Sequence, residues 1–223
     1  MKKYIAIIFA GALLAVSCSD APKGDNATVT DEKAAADSNG VVMNVDTNTS
    51  IVGFNGWGVG KNHPGKFKLN SGSFTVKNGM VTAGSFSINI NSLSMDQQEE
   101  MFQVNLRGHL LSPDFFDAAK SPEAKFEITG SEAFTPTAGD TSVVAGANTK
   151  ISGNLTLKGV TKNVSFPAKV DVTENGSATV ANFIIDRTQW DMHYNDDKES
   201  AKDKFIAHDV NITLNINSNK AAK

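Results

Sequence analysis

Cysteine is all but missing: Cys18 is the only one in the chain, so neither an internal disulfide nor a Cys-based zinc site can form within one molecule. A basic surplus is missing too. Lys and Arg number 21 against 24 Asp and Glu, whereas a general nucleic-acid binder needs excess cations to meet phosphates. Trp and Tyr are scarce, with two of each, too few for the aromatic girdles of a transmembrane β-barrel. The four histidines, His63, His109, His193 and His208, lack the short spacings of zincin sites. No Gly-x-Ser-x-Gly elbow, phosphate-binding loop or dinucleotide fingerprint occurs. The expectation is a protein that is not an enzyme and needs no metal or cofactor.

What is present begins with an address. Lys2 and Lys3 precede an apolar run, Ile5 to Val16, that is short for a membrane span and ends in small residues before Cys18. This is the layout of a cleaved export signal, and Leu14-Ala15-Val16-Ser17-Cys18 resembles a bacterial lipobox, in which the Cys is acylated and becomes the mature N-terminus. Residues 1–17 are thus read as a lipoprotein signal peptide and Cys18 as the lipidation site, a palmitate-type membrane anchor held by more than one acyl chain. Ser19 after Cys18 favours the outer membrane, on its periplasmic or surface face. Loss of Lys2 and Lys3 with the leader shifts the net charge from -3 to -5. Residues 18–40 carry five acidic side chains and one β-branched hydrophobe, Val29. They are expected to form a disordered tether, because so little apolar area cannot offset the entropy of ordering.

From Val41 the hydrophobic period is two. Phe86, Ile88 and Ile90 alternate with Ser87, Asn89 and Asn91; Ile151, Leu155 and Leu157 with Ser152, Asn154 and Thr156. The same pattern joins Val164, Phe166, Ala168, Val170 and Val172, and Val210, Ile212, Leu214 and Ile216. One dry and one wet face per strand predicts an antiparallel sheet. Asn70-Ser71-Gly72, Lys77-Asn78-Gly79 and Glu174-Asn175-Gly176 read as turns. The wet face bears Lys66, Lys68, Lys125, Glu127, Lys169 and Asp171, which lipid would not tolerate, so the apolar face points inward.

One stretch departs from this period. Gln97 to Leu110 spaces Phe102, Leu106 and Leu110 as on a helix, with Ser94 or Asp96 as candidate N-cap. Ser112-Pro113-Asp114 reads as a second helix start leading to Phe115 and Phe116. The prediction is all-β: a closed antiparallel barrel or a sandwich over 41–218, with a short helical insertion and a C-terminal tail over 219–223.

Several blocks resemble, in order, the YceI-like family: Val59 to Gly79, Gly84 to Ser94, Asn105 to Asp117 (NLRGHLLSPDFFD), Gly153 to Phe166 (GNLTLKGVTKNVSF) and Phe183 to Tyr194 (FIIDRTQWDMHY). The resemblance covers nearly all of Val41–Ser218, with Ser121 departing where an aromatic is usual. It implies a single eight-stranded lipocalin-like barrel that holds a polyisoprenoid or other long-chain amphiphile. An eight-stranded interior is either just filled or holds one small ligand. The residues expected at the lumen or mouth are Trp57, Phe67, Phe74, Phe86, Ile88, Phe102, Leu106, Leu110, Phe115, Phe116, Phe126 and Phe166. Head-group candidates are His63, His109 and Arg187, the last equally able to pair with Asp186, Asp191 or Asp114. The partners expected are a long-chain lipid or isoprenoid and a membrane, not nucleic acid, with a homodimer left open. The rival reading is a stress-related or structural interaction module whose barrel is filled and holds no ligand.

Overall fold

The computed structural model describes residues 23–58, 61–196 and 204–221. The signal peptide and Cys18 lie outside the described residues. Among the described residues, eleven strands form one sheet: β1 Asp25–Asn26, β2 Thr28–Asp31, β3 Val41–Val45, β4 Ile51–Gly58, β5 Lys61–Lys77, β6 Met80–Met95, β7 Glu123–Ala133, β8 Thr149–Leu157, β9 Val160–Val172, β10 Gly176–Asp186 and β11 Ile206–Lys220. From β5 to β11 each strand pairs antiparallel with its sequence neighbour. β3 and β4 both pair with β5 and with β11, so together they occupy one position and close an eight-stranded antiparallel barrel.

Tight turns set the register. Asn78 and Gly79, both at positive φ, link β5 to β6, and Lys158 and Gly159 do the same between β8 and β9, the left-handed pair that matches strand twist. Asn70-Ser71-Gly72 is not a turn: β5 runs through it with a bulge between Leu69 and Ser71. Gly72 is there for close approach, since a Cβ would stand 2.9 Å from both Phe86 and Val45.

Alternation along the strands delivers the apolar side chains inward. One buried cluster joins Met43, Phe74, Val164, Phe166, Phe183 and Trp190; a second joins Phe54, Phe67, Ile88, Leu93 and Phe102. Large residues sit over small ones: a Cβ on Gly65 would meet the Phe54 ring at 2.6 Å, and one on Gly153 the Phe126 ring at 2.3 Å. This pairing fits rings to the taper of a small barrel.

The helical insertion is shorter than its sequence pattern. It consists of a π-helical turn, Met101–Leu106, running into one α-helical turn, Arg107–Leu110 (α1). Neither proposed N-cap is used: Ser94 belongs to β6, Asp96 pairs with Lys66 at 3.3 Å, and no side chain caps the helix. Ser112-Pro113-Asp114 forms turns rather than a helix, with the Phe115 and Asp117 amides both donating to the Ser112 carbonyl.

The disordered tether expected over 18–40 does not hold for the described part. Residues 25–31 form β1 and β2, which pair with β10 and β9 respectively. Farther on, Asn154 exchanges two side-chain hydrogen bonds with the Lys33 main chain, at 3.0 and 2.7 Å, and the Thr82 hydroxyl donates to the Asn39 carbonyl. The segment is ordered because it borrows backbone partners from the barrel wall, not because it has a core of its own. The C-terminal tail expected from 219 is likewise taken into β11, where Asn219 and Lys220 pair with Asn44 and Met43.

Candidate ligand-binding lumen

Inside the barrel is a cavity of about 170 Å³. Strands β4 to β11 all contribute to it, through Val52, Phe54, Phe67, Phe74, Phe86, Ile88, Ile128, Ile151, Phe166, Phe183, Ile212 and Ile216 among others. Among the described lining residues only Thr179 and Arg187 are polar. The lumen therefore holds open space, and its described lining is almost wholly apolar.

A chain of aromatic contacts crosses the lumen. Phe74 stacks on Phe86 at 6.2 Å between centroids, Phe86 meets Phe126 at 6.2 Å, Phe126 meets Phe166 at 6.0 Å, and Phe166 stacks on Phe183 at 3.9 Å. A second group, Phe54, Phe67 and Phe116, lies toward the mouth of the barrel, the end that carries the helical insertion, with neighbouring centroids 5.4 and 5.3 Å apart. Phenylalanine suits such a wall because it brings area without a polar group that would need a partner.

Of the residues expected at the lumen or mouth, Phe67, Phe74, Phe86, Ile88, Phe116, Phe126 and Phe166 line the cavity. Trp57 does not. Val52 and Phe54 point inward, so the period of β4 puts Trp57 on the outer face. Phe102, Leu106 and Leu110 also miss the cavity; they pack with Phe54, Phe67 and Leu93 as a cover at the mouth. Phe115 is buried beneath His109 and Tyr194, with ring centroids 5.1 and 5.7 Å away. The alternation on β8, β9 and β11 contained further lining residues, among them Leu155, Val164 and Val210. Sequence reasoning missed Phe183, Ile185 and Met192 as lining residues, although Phe183-Ile184-Ile185 stands beside Arg187 in the sequence.

The head-group candidates separate. His63 and His109 do not line the cavity. His63 is half-buried against Phe102, at 5.5 Å, and the Gln97 amide; burial is the main cause that lowers its pKa, with Lys61 adding to it and a backbone hydrogen bond to Gly58 opposing it. His109 is tied to Asp114 at 2.9 Å and lies edge-on to Tyr194. Arg187 does line the cavity and is 4% exposed. It pairs with none of the three aspartates proposed for it. Instead it donates to the main-chain carbonyls of Ala207, Tyr194 and Ile206, each at 3.0 Å, and of Met192. Burial lowers its pKa, partly offset by the fields of Asp196 and Asp186; a guanidinium nonetheless stays charged. Trp190, fully buried, donates its indole N–H to the Leu155 carbonyl at 2.9 Å.

Among the described residues no group of three or more His, Cys, Asp or Glu could hold a metal ion. Among the described residues the geometry is that of an apolar lumen with one buried cation, Arg187, at its mouth end.

The comparisons agree with this architecture. The fold is similar to that of BcnA from Burkholderia cenocepacia, at 19% identity and a TM-score of 0.60, over 78% of this chain and 98% of that one. It is also similar to a polyisoprenoid-binding domain from Saccharophagus degradans implicated in plant cell wall breakdown, at 13% identity and a TM-score of 0.58, over 81% of this chain and 99% of that one. A YceI protein of Campylobacter jejuni matches at 20% identity with a TM-score of 0.51, over 71% of this chain and 85% of that one. No curated protein matches the chain. A model of the YceI-like domain matches residues 43–218, most of the chain and all eight barrel positions, and the chain therefore belongs to the YceI-like domain family.

Proposed function

We propose that this barrel binds the apolar chain of a long amphiphile, a polyisoprenoid or a fatty-acid-like molecule, and sequesters or carries it within the cell envelope. The observation that carries the reading is the lining: rings and branched aliphatics from every strand from β4 to β11 face one cavity, and two polar side chains interrupt them. Burial of an apolar chain there is favourable by about 25 cal/mol per Å² before ordering costs. With so few polar contacts the lumen selects for length and shape more than for functional groups. The polyisoprenoid-binding domain of similar fold supports the same ligand class. Arg187 is the head-group partner in this reading, since four of its five N–H donors are engaged by carbonyls and, among the described residues, its charge meets no carboxylate in an ion pair.

In the same proposal Cys18 is acylated and holds the protein on the outer membrane. Native mass spectrometry of protein purified from its own envelope, followed by lipid extraction, tests the lumen. A stoichiometric lipid is expected; a clean apo mass with no uptake of offered polyprenols would leave the structural or interaction module as the better account. Membrane partition tests the anchor separately, because Cys18→Ala should release the protein to the soluble fraction.

A further inference from the structure

β9 and β10 do not pair along their whole shared length. They hydrogen-bond over Ala168–Val172 and Ser177–Ala181; beyond that, toward the mouth, β9 pairs with Thr28–Asp31 and β10 with Asp25–Asn26. Segment 25–31 is thus an extra strand let into the mouth half of this seam. Directly behind it Phe166 and Phe183 line the cavity from opposite sides of the seam and stack on one another.

We propose that the amphiphile enters and leaves the lumen sideways through the β9–β10 seam, and that segment 25–31 is the removable strand that closes it. This rests on the chain-binding reading of the lumen. The segment is held weakly for a piece of wall. Its pairing with β10 spans two residues, and that with β9 four. Only Ala27 and Val29 pack against the core, while Asn26, Thr28 and Thr30 are exposed. Asp31 meets Lys162 at 2.9 Å but its side chain is 95% exposed, and such an ion pair contributes little. Releasing the segment breaks these short pairings and the hydrogen bonds that Asp25 accepts from the Ser142 hydroxyl and the Val143 amide, and it uncovers Ala27, Val29 and the seam behind them, whereas opening the mouth must unpack the helical cover and the carbonyl contacts of Arg187. Local openings are drawn from the least stable elements, and here that element is the seam strand. It also has an outside connection. Four residues separate Cys18 from Lys23, whose carbonyl accepts from Asn211; the five steps between them reach about 17 Å when fully extended, so an anchor at Cys18 holds the seam close to the bilayer that supplies the ligand.

Thr28 and Ser165 are register partners across the seam, a placement that a disulfide can bridge. In the full mature chain carrying Cys18→Ser, Thr28→Cys with Ser165→Cys locks the strand when oxidised. Stopped-flow fluorescence with cis-parinaric acid then reads the gate. Oxidation should slow uptake and release about tenfold while leaving equilibrium uptake unchanged, and reduction should restore both rates. Val29→Asp, which needs no disulfide, should quicken both. Equal rates in the oxidised and reduced protein, or unchanged rates in Val29→Asp, overturn the seam route while the lumen reading stands. Absence of any uptake by the parent chain overturns both.

Discussion

Phe166 of β9 and Phe183 of β10 stack, with centroids 3.9 Å apart and ring planes 8° from parallel, and both line the lumen. They are 1% and 3% exposed. The pair links two strands whose direct backbone pairing stops at Ala168 and Ala181, so here side chains supply cohesion that the hydrogen-bond ladder does not. Phe183→Ala removes the stack and leaves a void beside an existing cavity. The expected cost is about 3–5 kcal/mol, read as a lower urea midpoint at unchanged slope. Phe183→Leu should retain most of the stability. Equal midpoints for wild type and Phe183→Ala would show that the seam does not depend on this contact.

Arg187 lies between the lumen and the chain that returns to β11. Its four acceptors are carbonyls of Met192, Tyr194, Ile206 and Ala207, so one side chain gathers two ends of a loop. Arg187→Met preserves much of the apolar stem and leaves those carbonyls without their donor. Each buried acceptor so orphaned costs about 1–3 kcal/mol, and a total loss of at least about 3 kcal/mol is expected in urea unfolding. Amide exchange at Met192–Tyr194 should quicken along with it. Arg187→Lys should fall between, since an ammonium carries three donors on a single atom and cannot span the same acceptors.

The lumen was legible because alternation is a local property. Val210, Ile212, Leu214 and Ile216 announce one dry face in the sequence, and all four line the cavity. Features that depend on distant partners were not. Ala27-Thr28-Val29-Thr30 alternates too, but its apolar area is small and acidic residues surround it; it becomes a strand only because β9 and β10 offer free edges. Gly72 signals a turn by composition, whereas its structural reason is Phe86 on the neighbouring strand. The sequence around Arg187 shows nearby aspartates, yet its partners are carbonyls placed by the path of a loop. Trp57 misleads for a simpler reason. Strand parity decides its face, and Gly53, Gly56 and Gly58 leave too few side chains on β4 to read that parity.

Gly153 and Phe126 give a direct handle on lumen shape. A Cβ at Gly153 would come 2.3 Å from the Phe126 ring and 2.8 Å from the Glu127 carbonyl oxygen. The ring borders the cavity, so a shift of the ring takes up lumen space, while the backbone oxygen yields little. Gly153→Ala is therefore expected to cost about 1–3 kcal/mol and to reduce uptake of cis-parinaric acid. Pairing it with Phe126→Leu should recover part of both losses, because the smaller side chain clears the added methyl. Additive effects in that double variant would mean that the two positions do not compete for the same space.

His63 sets the expected response to acid. Desolvation beside Phe102 lowers its pKa from the ordinary 6.5, Lys61 pushes the same way, and the backbone hydrogen bond to Gly58 only partly opposes them. A histidine whose folded pKa lies below its unfolded value costs nothing while both states are neutral. As pH falls through about 6.5 the unfolded chain takes up the proton first, so the folded state loses stability until pH drops through the lowered folded value. His63→Gln abolishes this term. Urea midpoints of the two proteins should run parallel above about pH 7.5 and diverge below about pH 6.5, the wild type falling faster. The other histidines, common to both proteins, cancel in the difference. Parallel curves throughout would place His63 in water when folded, and a variant that falls faster than wild type would mean that the fold stabilises its charged form; either result contradicts desolvation beside Phe102.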